Sequence, residues 1–402
     1  MPTVATDFRE LGPDFVRNPY PVYARLRAEG PVHRVRITDG QEIWLVVGHE
    51  ACRAALTDPR ITRDFRKVHG ALEKLGGGAA DSPALTHMLL RDPPDHTRLR
   101  RLVAREFSPR RIAALAPRVQ EVTDGLLDVM LAAPDRRADL VGALAFPLPM
   151  TVICELLGVP ELDRSSFRAW SNEIVGTATG PAREAAFDAM VRYLDELIEG
   201  RRAAPGDDLL SALIHTVDEG GDRLGGDELI GMAVLLLIAG HETTVNLIGN
   251  GLRALFAHPG QLELLRSDPD GLMDGAIEEM LRYDGPVETA TPRWTTEDVQ
   301  IGTTTVPAGD IVLVALADAD HDQARFAEPD RFDIRRDARG HIAFGHGLHY
   351  CLGAPLARLE GRIAFRTLLE RCPDLAPDAD EAGLAWVSGM LMRGVRTLPV
   401  RW

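Results

Sequence analysis

Apolar positions fall into two periods along this chain. Near the start, Tyr20 to Ala28 repeats at helical spacing, while Val32 to Ile37 and Ile43 to Val47 alternate and are rich in β-branched residues. They predict one helix and two short strands, an α/β patch over about residues 19–60. Between Arg60 and Leu85 the pattern weakens, and Gly76-Gly77-Gly78 with Ser82-Pro83 predicts a flexible loop. A helical body follows over about residues 87–285. From His96 to Pro286 its period is nearly continuous, with breaks expected at Pro109, Pro117, Pro134, Pro147, Pro160, Pro181, Pro205 and Pro259. One helix, starting near Asp227 as its own cap and reaching Ala257, would be about 45 Å long at about 1.5 Å per residue. A mixed β and loop region occupies about residues 286–402, with strands expected at Val299 to Ile301, Ile311 to Leu316 and around Val395 to Trp402. No internal repeat interrupts this plan. The expected fold class is mainly α with small β-sheets, in a single domain over residues 1–402.

Composition narrows the function classes. The 402 residues are 45% hydrophobic and 26% charged, as in a globular chain, and the formal net charge of -15 opposes binding to phosphate backbones. No nucleic-acid partner is expected. The four cysteines form no CxxC pair, so neither a zinc site nor a disulfide scaffold is indicated. Residues Met1 to Glu10 lack a basic and then apolar leader. The longest apolar runs are the short Met232 to Ala239 and Val141 to Val159, which Pro147, Pro149 and Glu155 interrupt. The expectation is a cytoplasmic monomer without a membrane anchor.

The candidate chemistry lies in Phe344-Gly345-His346-Gly347-Leu348-His349-Tyr350-Cys351-Leu352-Gly353, a glycine-rich loop directly ahead of a helix expected from Ala354 to Glu370. Free N–H groups at a helix N-terminus favour an anion, so the Cys351 thiol is expected to have a lowered pKa and to be ready to ligate a metal. Gly345, Gly347 and Gly353 would let backbone approach a flat ligand such as a porphyrin.

Phe344, Gly347, Cys351 and Gly353 match the FxxGxxxCxG loop of the axial cysteine in cytochromes P450, and the chain resembles that family from about Pro19 to Trp402. The resemblance implies a triangular helical prism with its long central helix over haem b (iron protoporphyrin IX), and Cys351 as the iron ligand. It gives Glu279, Arg282 and Arg331 a structural role as a buried Glu-Arg-Arg network. It gives His96, Arg100, Arg293 and His349 the haem propionates, and assigns Phe344, Gly345 and Gly353 to the cofactor loop.

In Leu235 to Thr244, Leu235, Ala239 and Thr243 share one helix face with Glu242 beside them. Small Ala239 and Gly240 would leave room for a diatomic ligand. The Thr243 hydroxyl, bonding its own backbone, would locally open the helix. Splitting an O–O bond needs two protons, which an alcohol and an acid, Thr243 and Glu242, can deliver. The segment resembles the family's A-G-x-[DE]-T motif. His241 is expected to pack away from iron.

The family chemistry so implied is monooxygenation: O2 as co-substrate, two electrons ultimately from NAD(P)H, and one oxygen atom inserted into the substrate. No flavin or nicotinamide motif appears, so a ferredoxin and its reductase are the implied donors, with Arg98, Arg101, Arg105, Arg110 and Arg111 as a basic docking face. The likeness to actinobacterial macrolide and vitamin D hydroxylases implies a bulky hydrophobic substrate: a macrolide, steroid or terpenoid. Family topology suggests contacts from Leu89, Leu90, Leu235, Ala239, Val287, Thr289, Met390 and Leu391. Rival readings are a peroxide-driven oxygenase, an oxidative coupling enzyme and a haem-based sensor. One departure is visible: Ala319-Asp320-His321-Asp322-Gln323 stands where relatives often read Ala-Asn-Arg-Asp-Pro, which puts local packing in doubt.

Overall fold

A computed structural model describes residues 6–37, 40–71, 82–160, 164–175, 181–217 and 221–402; Gly76 to Gly78, at the centre of the loop expected between Arg60 and Leu85, lie outside them. The helices that position the site are α1 (Tyr20–Glu29), α2 (His49–Thr57), α3 (Asp95–Ala104), α4 (Pro147–Leu156), α5 (Gly226–Ala257), α6 (Pro269–Asp284) and α7 (Ala354–Arg371). Prolines expected to break helices mostly start them. Pro109, Pro117, Pro147 and Pro259 stand in first turns, where the missing N–H had no helical partner to lose, while Pro134, Pro160 and Pro205 fall between helices.

α5 runs 32 residues and carries apolar side chains nearly all round, the composition of a helix enclosed by others. Among the described residues it alone is long and apolar enough to cross a membrane, yet it lies inside the protein. Its first half, Leu229 to Val245, joins one helical core with α4, and Leu247 to Leu255 joins a second with α6 and α7. Burying a side chain such as Leu237 stabilises by about 1.5–3 kcal/mol. Its cap differs from expectation: Gly225 is the capping residue, and its N–H donates to Glu228 Oε2 at 2.8 Å, leaving Asp227 inside the first turn.

Six strands, β1 (Thr6–Asp7), β2 (Val32–Arg36), β3 (Glu42–Val46), β4 (Ile61–Thr62), β5 (Arg293–Thr295) and β6 (Ile311–Val314), form one sheet in the order β1-β2-β3-β6-β5-β4. β2 and β3 are the two expected strands, and they pair antiparallel as a hairpin with Val32 opposite Val46. β6 joins β3 in parallel, so residues far apart in sequence meet here. Val299–Ile301 pairs with Thr304–Val306 as a separate hairpin, and Pro399–Arg401 lies between Arg137–Asp139 and Ala376–Pro377.

The unusual run after Ala319 is accommodated. Asp320 Oδ1 accepts from the Ile342 N–H at 2.7 Å, and Asp322 Oδ2 accepts from the His49 N–H at 2.9 Å. The His321 ring stacks on Tyr20 at 3.8 Å and bonds Asp330 at 2.9 Å.

Candidate active site

The cysteine loop is a set of tight turns. Gly345 N–H donates to Ile342 O at 2.8 Å, Tyr350 N–H to Gly347 O at 3.1 Å, and Cys351 N–H to Phe344 O at 2.9 Å. Gly345 and Gly347 both have φ of +74°, a region that side chains disfavour. A Cβ on Gly347 would also meet Thr57 Cγ2 at 2.7 Å, so this glycine admits the end of α2 and is not vacated for a flat ligand. Gly353 caps α7 two residues after the cysteine. The Phe344 ring stands under the Arg358 guanidinium at 4.5 Å, and Arg358 is in turn held by Glu278 at 2.5 Å.

Cys351 is exposed, whereas Cys52, Cys154 and Cys372 are buried. The expected lowering of its pKa is only half present. The backbone N–H groups of Gly353 and Ala354 and the Arg100 charge do favour the thiolate, but protein crowding on its other sides outweighs them and pushes the thiol up. A bound metal ion would reverse that balance by deprotonating the sulfur outright.

Around the loop stand several basic side chains, with the charge of one carboxylate, Asp92, reaching His96 and Arg293. His96 meets the edge of His349 at 4.5 Å between ring centres, and neither ring nitrogen of buried His96 has a hydrogen-bond partner. Burial, then the cations Arg63, Arg293, His96 and Arg100, push His349 down to about 2; burial and Arg100 push His96 down to about 4. Arg100 Nη2 donates to Tyr350 O at 2.8 Å. Arg293 is 4% exposed, with no partner at Nε. Unsatisfied donors of one sign in one place fit a ligand carrying carboxylates, as haem does. The structure therefore brings His96, Arg100, Arg293 and His349 together beside Cys351. Sequence reasoning missed Arg63, which joins the group from the residue after β4.

Between Leu229 and Leu252 the side chains of α5 are buried except for a central stripe, where Ala239 is exposed and Leu235, Ile238, Glu242 and Thr243 are half-buried. Thr243 Oγ1 donates to Ala239 O at 3.1 Å as expected, but the helix continues unbroken through the bond. Burial pushes the Glu242 carboxyl up, against a smaller pull from Arg396. Gly240 does not face the stripe. A Cβ there would meet Ile153 Cδ1 at 2.9 Å, so its lack of a side chain admits α4 and not a diatomic ligand. His241 is fully buried, bonded through Nδ1 to Leu237 O at 2.8 Å and edge-on to Phe146. Beside the stripe, Glu360 of α7 is a buried carboxylic acid pushed up to about 8 by burial, which the Thr244 hydroxyl only partly offsets.

The other expected residues divide. Glu279 and Arg282 pair at 2.7 Å with both side chains wholly buried. The third arginine is Arg336, whose Nε donates to Glu279 Oε1 at 3.2 Å. Arg331 instead turns its guanidinium to solvent, pairs with Glu328 and Asp333, and offers only its carbonyl to the network. Of the substrate candidates, Leu391 is exposed; Leu89, Leu90 and Val287 are half-buried, the last two packed on core clusters. Thr289 and Met390 are in the core: Thr289 Oγ1 donates to Met390 O at 2.7 Å, so its hydroxyl is spent within the protein and does not face a ligand. Of the proposed docking arginines, Arg101, Arg105, Arg110 and Arg111 are exposed, but Arg98 points inward to Asp222 and Glu228 and anchors the start of α5.

Comparison with known proteins bears on this arrangement. The family model described as Cytochrome P450 matches residues 165–381. The cytochrome P450 monooxygenase PikC of Streptomyces venezuelae is 57% identical over 397 residues, covering 98% of this chain and 94% of that protein. The vitamin D(3) 25-hydroxylase of Pseudonocardia autotrophica is 46% identical over 401 residues, covering 100% of this chain and 98% of that protein. The crystal structure of myxobacterial cytochrome P450 CYP267B1 in complex with myristic acid superposes with a TM-score of 0.92 at 42% identity, covering 98% of this chain and 99% of that one.

Proposed function

The chain belongs to the cytochrome P450 family and is a monooxygenase of that family, and from this premise we propose that it oxygenates a bulky hydrophobic small molecule at a haem held by Cys351. The observation that carries the reading is the position of Cys351. It stands at the start of α7, in reach of unpartnered basic side chains, with α7 packed against the helix that bears the accessible stripe.

In this reading His96, Arg100, Arg293 and His349 hold the haem carboxylates. When bound, haem b supplies an iron that activates O2 with electrons from outside the chain. The protein's part is placement and proton delivery. Glu242, held protonated to higher pH than an ordinary glutamate, carries protons inward, and the Thr243 hydroxyl, already fixed by Ala239 O, orients water beside Ala239. Leu235, Ile238 and Ala239 offer apolar surface, and Leu89 and Leu391 add to it, which suits a macrolide, steroid or terpenoid.

The electrons are proposed to come from NAD(P)H through a ferredoxin in the cytoplasm. Its docking face would combine Arg101, Arg105 and Arg110 with Leu348 and Tyr350, each 39% exposed beside the cysteine.

The deciding experiment is the visible spectrum of the dithionite-reduced protein under carbon monoxide, with Cys351→Ala beside it. A strongly red-shifted Soret band, lost in the variant, is expected. A band typical of histidine-ligated haem would overturn the ligand assignment, and robust turnover with hydrogen peroxide but none with a ferredoxin system would overturn the electron route.

A further inference from the structure

Two guanidinium groups face each other across the end of a β-ladder with no acid between them. β4 and β5 pair antiparallel, Ile61 opposite Thr295 and Thr62 opposite Trp294, a register that sets Arg63 opposite Arg293. Both arginines are 4% exposed. Like charges placed opposite on a sheet repel, and burial removes the water that would screen them. Among the described residues, Arg63 donates only to Thr291 Oγ1 and Arg293 only to Ile61 O at 3.4 Å, and the Nε of each has no partner. Asp92 is the one carboxylate whose charge acts on both, but its Oδ2 is committed to the Thr62 hydroxyl and, at 2.8 Å, to Lys67. Arg63 and Arg293 are the charges that act most on His349, so the pair lies near the cysteine loop. Such an arrangement calls for an anion.

Resting on the haem-thiolate reading, we propose that Arg63 is a further propionate anchor, forming with Arg293 a two-armed clamp for one haem carboxylate. Counting Arg100, three arginines then serve two carboxylates. The surplus positive charge favours the haem carrying one more electron. Lysine at position 63 would keep the charge but not the fork that grips both oxygens.

The test compares holoenzymes of the native protein, Arg63→Met and Arg63→Lys, measuring the rate of haem transfer to apomyoglobin and the haem reduction potential by dye equilibration. Arg63→Met is expected to lose haem on the order of tenfold faster, the effect of one charge-assisted hydrogen bond, and to have a lower potential. Arg63→Lys should regain the potential without regaining full retention. If Arg63→Met does not accumulate, the lysine variant alone decides: haem loss and potential both equal to the native protein's would overturn the proposal. Native-like values in Arg63→Met would overturn it as well. If the native protein gave a spectral response to added myristic acid, and Arg63→Met lost it while keeping native haem loss and potential, the anion would be a substrate carboxylate and the proposal would fall. A native protein without thiolate-ligated haem would instead remove the reading beneath the proposal.

Discussion

Arg282 grips Glu279 with two parallel bonds, Nε to Oε2 at 2.7 Å and Nη2 to Oε1 at 2.9 Å, and Arg336 closes on the same carboxylate from a loop 57 residues further along. Arg336 also donates to the carbonyls of Ala327, Glu328 and Arg331. Arg336→Ala therefore leaves a buried charge and three carbonyls short of donors, and should cost about 2–3 kcal/mol in denaturant unfolding. Arg331→Ala removes only solvent-exposed pairs and should stay within about 0.5 kcal/mol. Equal losses in the two variants would return the third place in the network to Arg331.

Thr243→Ala removes the hydroxyl fixed over Ala239 while leaving a helix that does not depend on it. Electron consumption should continue, and product formed per NAD(P)H should fall several-fold as hydrogen peroxide accumulates. Unchanged coupling would show that Thr243 has no part in proton delivery.

Glu360 gives a pH signature. Its folded carboxyl is pushed up to about 8, from an ordinary value of 4.5. Between those values the unfolded chain releases a proton that the folded chain keeps, so the stability this group contributes is complete below about pH 4.5 and falls as pH rises, levelling above about 8. Glu360→Gln stays neutral throughout. Its melting temperature should therefore rise relative to the native protein between pH 5 and pH 8.5, and a constant difference across that range would contradict the shift.

Ferredoxin docking should follow ionic strength. Arg110→Glu is expected to slow reduction several-fold at low salt, and the deficit should shrink near 1 M salt, where the screening length falls from about 10 Å to about 3 Å. Arg98→Glu should act otherwise. It places an acid against Asp222 and Glu228 and should lower thermal stability at any salt. Reduction rates insensitive to Arg110→Glu at low salt would place the docking face elsewhere.

Features carried by local sequence were the legible ones. The length and apolarity of α5, the strands β2 and β3 and the turn before α7 all depend on neighbours in the chain, so period and glycine spacing announce them. What escaped depends on long-range closure. Arg63 matters because β4 pairs with a strand more than 200 residues away, and nothing near Ile61 indicates that register. Arg336 replaces Arg331 because the loop after Phe332, and not motif position, decides which guanidinium returns to Glu279. Thr289 and Gly240 were misread for one shared reason: side-chain type suggests a role, but only the direction it faces assigns one.

The open stripe on α5 separates two kinds of heritable change. Enlarging Gly240 collides with Ile153, and enlarging Gly251 with Met280 and Phe365, so drift at those sites is curbed by folding itself. Ala239 is exposed, whereas Leu235 and Ile238 are half-buried and also pack on the helical core, so of the three it is Ala239 where added bulk disturbs the scaffold least. On the proposed reading, a lineage exchanges one substrate for another at Ala239 with little call on spare stability, and directed evolution would profitably begin there.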